Sequence, residues 1–330
     1  MNRRPQGLTL SKTLTGFIQH KVAEGLSPNT LVNYERHLVV LTDYLGNASI
    51  GQVTSQDLRS FFAWLRTDYE PKRLTGGDQP LSPKTRRNIW ATLRSFFSWA
   101  SEEFDLANPM NSVKAPRFER PPVEPFTKNE VEALLKACKF TREANTTNRK
   151  SFSVWRPTAR RDEAIILTLL DTGLRASELC SLRLGDIEIR TGKVHIQHGV
   201  TGGAKSGKGR FVYLGRATRR SLWRYLADRE DHEDLEAPLF VGLFDRPMNR
   251  GSLRQLLKRL ADKAGVRNCH PHRFRHTFAI SYLRAGGDLF TLQSLLGHTS
   301  LDMVKHYTKI AQIDVAHAHR RASPADNWRL

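Results

Sequence analysis

Apolar residues recur at helical intervals through the first hundred positions of the chain. Leu10, Leu14, Phe17 and Ile18 mark one helix within residues 9–24, and Gly25 ends it. Ser27-Pro28 opens a second helix, with Ser as N-cap and Pro where its missing N–H costs nothing. Its buried stripe is Leu31, Tyr34, Leu38, Leu41 and Leu45. A third begins near Thr54 and runs through Leu58, Phe61, Phe62 and Leu65. A fourth repeats the earlier start signal, Leu81-Ser82-Pro83-Lys84-Thr85 echoing Leu26-Ser27-Pro28-Asn29-Thr30, and continues through Ile89, Leu93, Phe96 and Phe97.

From Pro109 the period is lost. Pro109, Pro116, Pro121, Pro122 and Pro125 fall among charges, the pattern of an extended connection. The boundaries that follow are a helical first domain over 1–112, a linker over 113–125 and a second domain over 126–330. The second opens with a capping box at Thr127 and Glu130, stapled by Phe126 and Val131. Helices are predicted over 160–170, 176–184, 217–229, 250–264, 272–285, 288–296 and 300–307. Val194-His195-Ile196 and Phe211-Val212-Tyr213-Leu214 read as strands joined by a Gly- and Lys-rich turn. Residues 141–159 show no period and read as an inserted loop. The fold class is therefore mainly α with a small antiparallel β-sheet.

Charge then changes the picture. Lys and Arg number 52 against 33 Asp and Glu, a formal net charge of +19 over 330 residues. Such an excess calls for a polyanionic partner, nucleic acid before anionic membrane. Residues 1–118 hold 15 Lys/Arg and 10 Asp/Glu, so both domains are basic. No stretch approaches a membrane span, and Met1 to Gly7 leads into no apolar signal core, so a cytoplasmic location is expected. Cys138, Cys180 and Cys269 are odd in number and far apart, which excludes a disulfide framework and a thiolate zinc site.

Several segments carry possible chemistry, each with a plainer reading beside it. Lys84, Arg86, Arg87 and Arg94 lie along the fourth helix, as phosphate contacts or as a solvated face. Residues 202–209 (GGAKSGKG) nearly match a phosphate-binding loop. They fail it because Gly209 stands where Ser or Thr must ligate magnesium, and because a strand follows. They read better as a hairpin turn presenting Lys205 and Lys208. In CHPHRFRH, Pro271 starts a helix that sets His272 and Arg275 one turn apart, able to donate together to one phosphate. The rival zinc pair His272 and His276 lacks a completing cysteine or carboxylate. Arg175, after the Gly173 turn, sits at a helix start where the dipole favours anions. It fits a bound phosphate, or a salt bridge to Glu178. Gly297 ends a helix, His298 occupies the corner, and Tyr307 lies near the end of the next, where a lone Tyr is ordinarily a core edge.

Together these pieces resemble the tyrosine recombinase (phage integrase) family. Arg175 in TGLRASEL, Lys205 in a hairpin, His272-x-x-Arg275, Gly297-His298 and Tyr307 stand in that family's order and at its approximate intervals. The GLSPNT helix start of the first domain resembles the family's core-binding domain, and the likeness covers residues 9–310. Phe274 stands where Leu is common in the family, and the 141–159 insertion and His270 have no assigned role. The resemblance implies an N-terminal helical core-binding bundle and a C-terminal catalytic domain with a tail. It implies a site-specific DNA recombinase working through a 3′-phosphotyrosyl link and a Holliday junction, without metal, ATP or other cofactor. Tyr307 would be the nucleophile, His272 the base, Arg175 and Arg275 the clamp on the non-bridging oxygens, Lys205 the general acid, and His298 a phosphate donor. Partners would be double-stranded DNA at a specific site and further copies of the chain, a tetramer in synapsis, with accessory proteins possible and no membrane. Tail residues after Tyr307 would dock on an adjacent subunit. Mobile-element integration is the task first expected. Xer-type replicon resolution, a type IB topoisomerase, a non-catalytic DNA-binding module and a metal-dependent nuclease are the alternatives.

Overall fold

The computed structural model describes residues 8–71, 79–119, 124–140, 144–146, 149–152, 155–197, 209–242, 246–297 and 323–327. The chain divides into two compact units, Met1–Pro121 and Pro122–Leu330.

The first unit is built from α1 (Leu10–Ala23), α2 (Pro28–Leu45), α3 (Ser55–Thr67) and α4 (Pro83–Phe104). Its core is largely aromatic. Phe17, Phe61, Phe96 and Phe97 are all but fully buried, with Phe17 edge-on to Phe96 at 5.4 Å. The two Ser-Pro starts differ in detail. Ser82 Oγ accepts from Thr85 N–H at 3.1 Å, whereas Ser27 Oγ makes no such cap and instead meets Thr30 Oγ1 at 2.9 Å. Thr54 and Asp57 close a capping box on α3. The proline-rich connection starts later than the lost period suggests. A 3-10 turn at Pro109–Ser112 folds back, Met110 and Val113 are buried, and Trp90 Nε1 donates to Val113 O at 3.0 Å.

The second unit opens with α5 (Lys128–Lys139), whose Thr127–Glu130 capping box is formed. Helices α6 (Ala159–Thr172), α7 (Ala176–Ser181), α8 (Arg216–Leu226), α9 (Arg250–Ala264), α10 (Pro271–Arg284) and α11 (Leu289–Leu296) follow. Residues 141–159 are not simply a loop. They contain a small antiparallel pair, β1 (Ala144–Thr146) with β2 (Arg149–Phe152), and α6 begins at Ala159. The main sheet runs β3 (Ile187–Glu188), β4 (Lys193–Ile196), β5 (Arg210–Tyr213), all antiparallel, with Val194 opposite Val212. Strand β3 is too short to leave an alternation in the sequence. Val194, Ile196 and Val212 are buried against the helices, and Lys193, His195, Phe211 and Tyr213 are exposed. Among the described residues no helix is long and apolar enough to cross a membrane.

The mouth of this unit is bolted to α10. Phe126 packs on Phe274 at 4.6 Å, and its N–H donates to Thr277 Oγ1 at 2.8 Å. Arg273 lies over the Phe126 ring, pairs with Glu130 at 2.9 Å and donates to the carbonyl of Arg267. Phe274 is thus buried in an apolar fit, and His272, two residues before it, and Arg275, the residue after it, leave a fixed helix.

Candidate active site

The site grows from two glycine-ended helices. Gly173 ends α6 at φ +60°, and a Cβ there would lie 2.7 Å from the Phe278 ring, so neither the turn nor the space admits a side chain. The turn buries Leu174 and delivers Arg175 as the N-cap of α7. Gly297 ends α11 at φ +62°, and a Cβ there would press on Arg210 Nη1 at 3.0 Å.

Arginines hold these two ends together. Arg275 is 3% exposed and donates from Nη1 to Gly173 O at 2.9 Å and from Nη2 to Leu296 O at 2.6 Å. Arg175 donates to Gly297 O at 3.3 Å. Arg210 Nε donates to Leu295 O at 2.8 Å. Three successive carbonyls at the end of α11 therefore each accept from a different guanidinium.

Glu178 is the anion at the centre. Its Oε1 accepts from Arg175 Nη1 at 2.8 Å and Arg210 Nη1 at 2.9 Å, and its Oε2 accepts from Arg175 N–H at 2.9 Å and Arg210 Nη2 at 2.8 Å. Burial by itself would push this carboxyl up. The hydrogen bonds and charges of Arg210, then of Arg175, outweigh it and hold the pKa at about 2. The salt bridge from Arg175 to Glu178 is present. It occupies one Nη of a guanidinium that stays 30% exposed, so it orients the arginine without enclosing it.

His272 stands at the start of α10, after the N-cap His270, whose Nδ1 accepts from Arg273 N–H at 3.2 Å. Its side chain reaches solvent, yet the protein around the ring lowers its pKa, desolvation acting first and the charges of Arg275, His270, Arg175 and Arg254 adding to it. A neutral imidazole amid guanidinium groups is suited to take a proton near neutrality. Arg175 and Arg275 thus lie within electrostatic reach of His272. Lys205, Lys208, His298 and Tyr307 lie outside the described residues, as does the helix expected over 300–307.

Sequence reasoning missed two contributors. Arg254 is exposed on α9 within electrostatic reach of His272. Arg210 had no signal except its oddness, a charge on the strand face it shares with buried Val212. Among the described residues no three His, Cys, Asp or Glu side chains are grouped to hold a metal. In the first unit, Lys84, Arg87 and Arg94 are exposed on α4 and Arg86 is partly buried. Arg87 and Arg94 flank the Trp90 ring at 5.5 and 5.3 Å, and Arg87 also donates to Pro116 O.

Comparison with known proteins gives the same answer along nearly the whole chain. Residues 124–313 match the model of the phage integrase family, and residues 15–103 match that of the phage integrase N-terminal SAM-like domain. Tyrosine recombinase XerC of Staphylococcus epidermidis is 30% identical over 309 residues, covering 92% of this chain and 94% of the relative. Tyrosine recombinase XerC of Alcanivorax borkumensis is 32% identical over 320 residues, covering 95% and 94%. The fold is similar to that of the Tn1549 transposon integrase in complex with a circular intermediate DNA (TM-score 0.71, 22% identity, 91% of this chain and 95% of that one). It is also similar to a lambda integrase dimer bound to a COC′ core site (TM-score 0.65, 18% identity, 90% and 97%).

Proposed function

This chain belongs to the phage integrase family of tyrosine recombinases, and from that premise we propose that it is a site-specific recombinase acting on double-stranded DNA by the following chemistry. The Tyr307 oxygen attacks the scissile phosphorus as its proton passes to His272. The P–O5′ bond breaks, a 3′-phosphotyrosyl ester forms, and the leaving 5′ oxygen takes a proton from Lys205. The 5′-hydroxyl of a second strand reverses these steps on the partner duplex, giving a Holliday junction. One ester replaces another of similar energy, so the exchange needs no nucleotide. Arg175 and Arg275 bind the non-bridging oxygens, where charge builds in the transition state, and His298 adds a hydrogen bond. Each such donor contributes about 2.7–4 kcal/mol to barrier lowering.

The observation that carries the reading is the pairing of Arg175 and Arg275 across the ends of α6 and α11, with His272 within reach of both charges. Lys84, Arg86, Arg87 and Arg94 on α4, and Lys208 in the second unit, supply phosphate contacts. The working form is a homo-oligomer on DNA, a tetramer in synapsis.

The test is to incubate the chain with sheared DNA of the source organism, stop with detergent, and sequence the DNA left covalently attached. Wild type should mark one defined sequence with EDTA present. Tyr307→Phe should bind that DNA and form no adduct. An adduct from Tyr307→Phe, or EDTA-sensitive cleavage without any adduct, would sink the reading. The recovered sequence also decides the biological task. The ends of a mobile element would support integration and excision, a role favoured by the 141–159 insertion. A single locus on a circular replicon would support Xer-type resolution, a second reading favoured by relatives named XerC that match over almost their full length.

A further inference from the structure

Arg210 carries a cost that the sheet alone does not explain. It is the first residue of β5, opposite Ile196, and it points to the same side as buried Val212. Its side chain is 9% exposed, so a full charge has been taken out of water where alternation calls for an apolar residue. All its described bonds lead to the site. Two parallel N–H···O bonds grip both oxygens of Glu178, and Nε holds Leu295 O.

We propose that Arg210 is the positioning residue of the recombination site: by saturating Glu178 it leaves Arg175 oriented but available to the scissile phosphate, and by holding Leu295 O it fixes the end of α11 from which His298 follows. The inference rests on the recombinase reading above. Its logic is competitive. Glu178 is buried with four hydrogen bonds, two from Arg210 and two from Arg175. Remove Arg210, and among the described residues the guanidinium left to neutralise the carboxylate is that of Arg175. Arg175 is then drawn onto both oxygens, away from Gly297 O and from the substrate. Lys205 lies five residues before Arg210 in the chain. Lysine cannot replace this arginine, because one ammonium cannot span two carboxylate oxygens and a carbonyl in the planar fork that Arg210 offers.

The experiment is single-turnover adduct formation on a nicked duplex carrying the sequence recovered with the wild-type chain. Arg210→Lys should form adduct about a hundredfold more slowly at saturating DNA, the loss expected of an ångström-scale misplacement, while the half-saturating DNA concentration stays within about threefold. The same duplex with a neutral methylphosphonate at the scissile position needs less of the clamp. On it the deficit of Arg210→Lys relative to wild type should shrink at least tenfold, whereas a loss of fold would slow both substrates alike. A second variant guards against misfolding. Arg210→Met with Glu178→Gln removes the competing carboxylate together with its partner, so the chain should melt near wild type and form adduct faster than Arg210→Met alone. Fast reaction by Arg210→Lys, or a double variant no faster than Arg210→Met, would overturn the role of Arg210. A wild-type chain that forms no adduct on any DNA would instead remove the recombinase reading and this inference with it.

Discussion

The two units keep their shape by opposite means. Among the described residues, the first buries only two polar side chains, Thr13 and Thr92, and fills its interior with phenylalanine and leucine. The second buries Asp162, Glu178, Asp186, Arg273 and Arg275. Burying a charge costs several kcal/mol unless it is paired and hydrogen-bonded. The first unit avoids that cost, and the second accepts it around the pocket that holds Arg175 and His272. The charges are not all equivalent, however. Asp162 is tied to Arg156 and Arg161, whose other bonds go to Cys138 O, Thr158 Oγ1 and Val241 O, so that group secures the flank of α6. Glu178 is tied to arginines whose other bonds go to α11, so that group shapes the site. Burial of charge therefore marks a region, and the far ends of its hydrogen bonds show what the region is for.

The contrast can be broken at its strongest point first. Phe96→Ala should cost the first unit about 3–5 kcal/mol, the price of a large buried ring. The rate of adduct formation at saturating DNA should stay unchanged wherever the unit remains folded. Urea titration followed by fluorescence, with single-turnover kinetics beside it, checks both halves. If the rate falls with stability, the two units are not separable in this way.

Arg275→Met comes next. It should slow adduct formation about 10²–10³-fold. It should also lower stability, since Gly173 O and Leu296 O lose their charged donor in a buried place, about 1–3 kcal/mol for each. A variant that loses stability but keeps its rate would place Arg275 with Asp162 rather than with Glu178.

The smallest effect is one of pH. The folded Glu178 pKa, about 2, lies below its ordinary 4.5. Its stabilisation is therefore complete above pH 4.5 and is lost as pH falls toward 2. The second unit should weaken by roughly 3 kcal/mol across that window. Glu178→Gln should flatten that slope, while the first unit, with no buried carboxylate among its described residues, should show little of it. Melting curves between pH 2 and 5, read separately for each unit, measure the difference.

How much of this was legible in the sequence follows the same division. The helices of the first unit are plain in the spacing of Phe17, Leu38, Phe61 and Phe96, because an apolar core leaves a periodic record. The caps at Ser82 and Thr127 are plain because the bonds are local. The prolines among charges from Pro109 onward carry no sign that Met110 and Val113 are buried. In the second unit Arg175, His272 and Arg275 stand out by their order along the chain. The Glu178–Arg210 pair does not, for it joins positions 32 residues apart across a sheet edge. Nothing in the period of β5 asks for an arginine. Spacing alone does not show that Arg87 and Arg94 both flank the Trp90 ring.

The end of α11 has a last consequence. Leu295, Leu296 and Gly297 offer peptide oxygens at the negative pole of a helix, so three mutually repelling cations have a built-in counterweight. The pocket can stay assembled between reaction cycles without borrowing ions from the buffer.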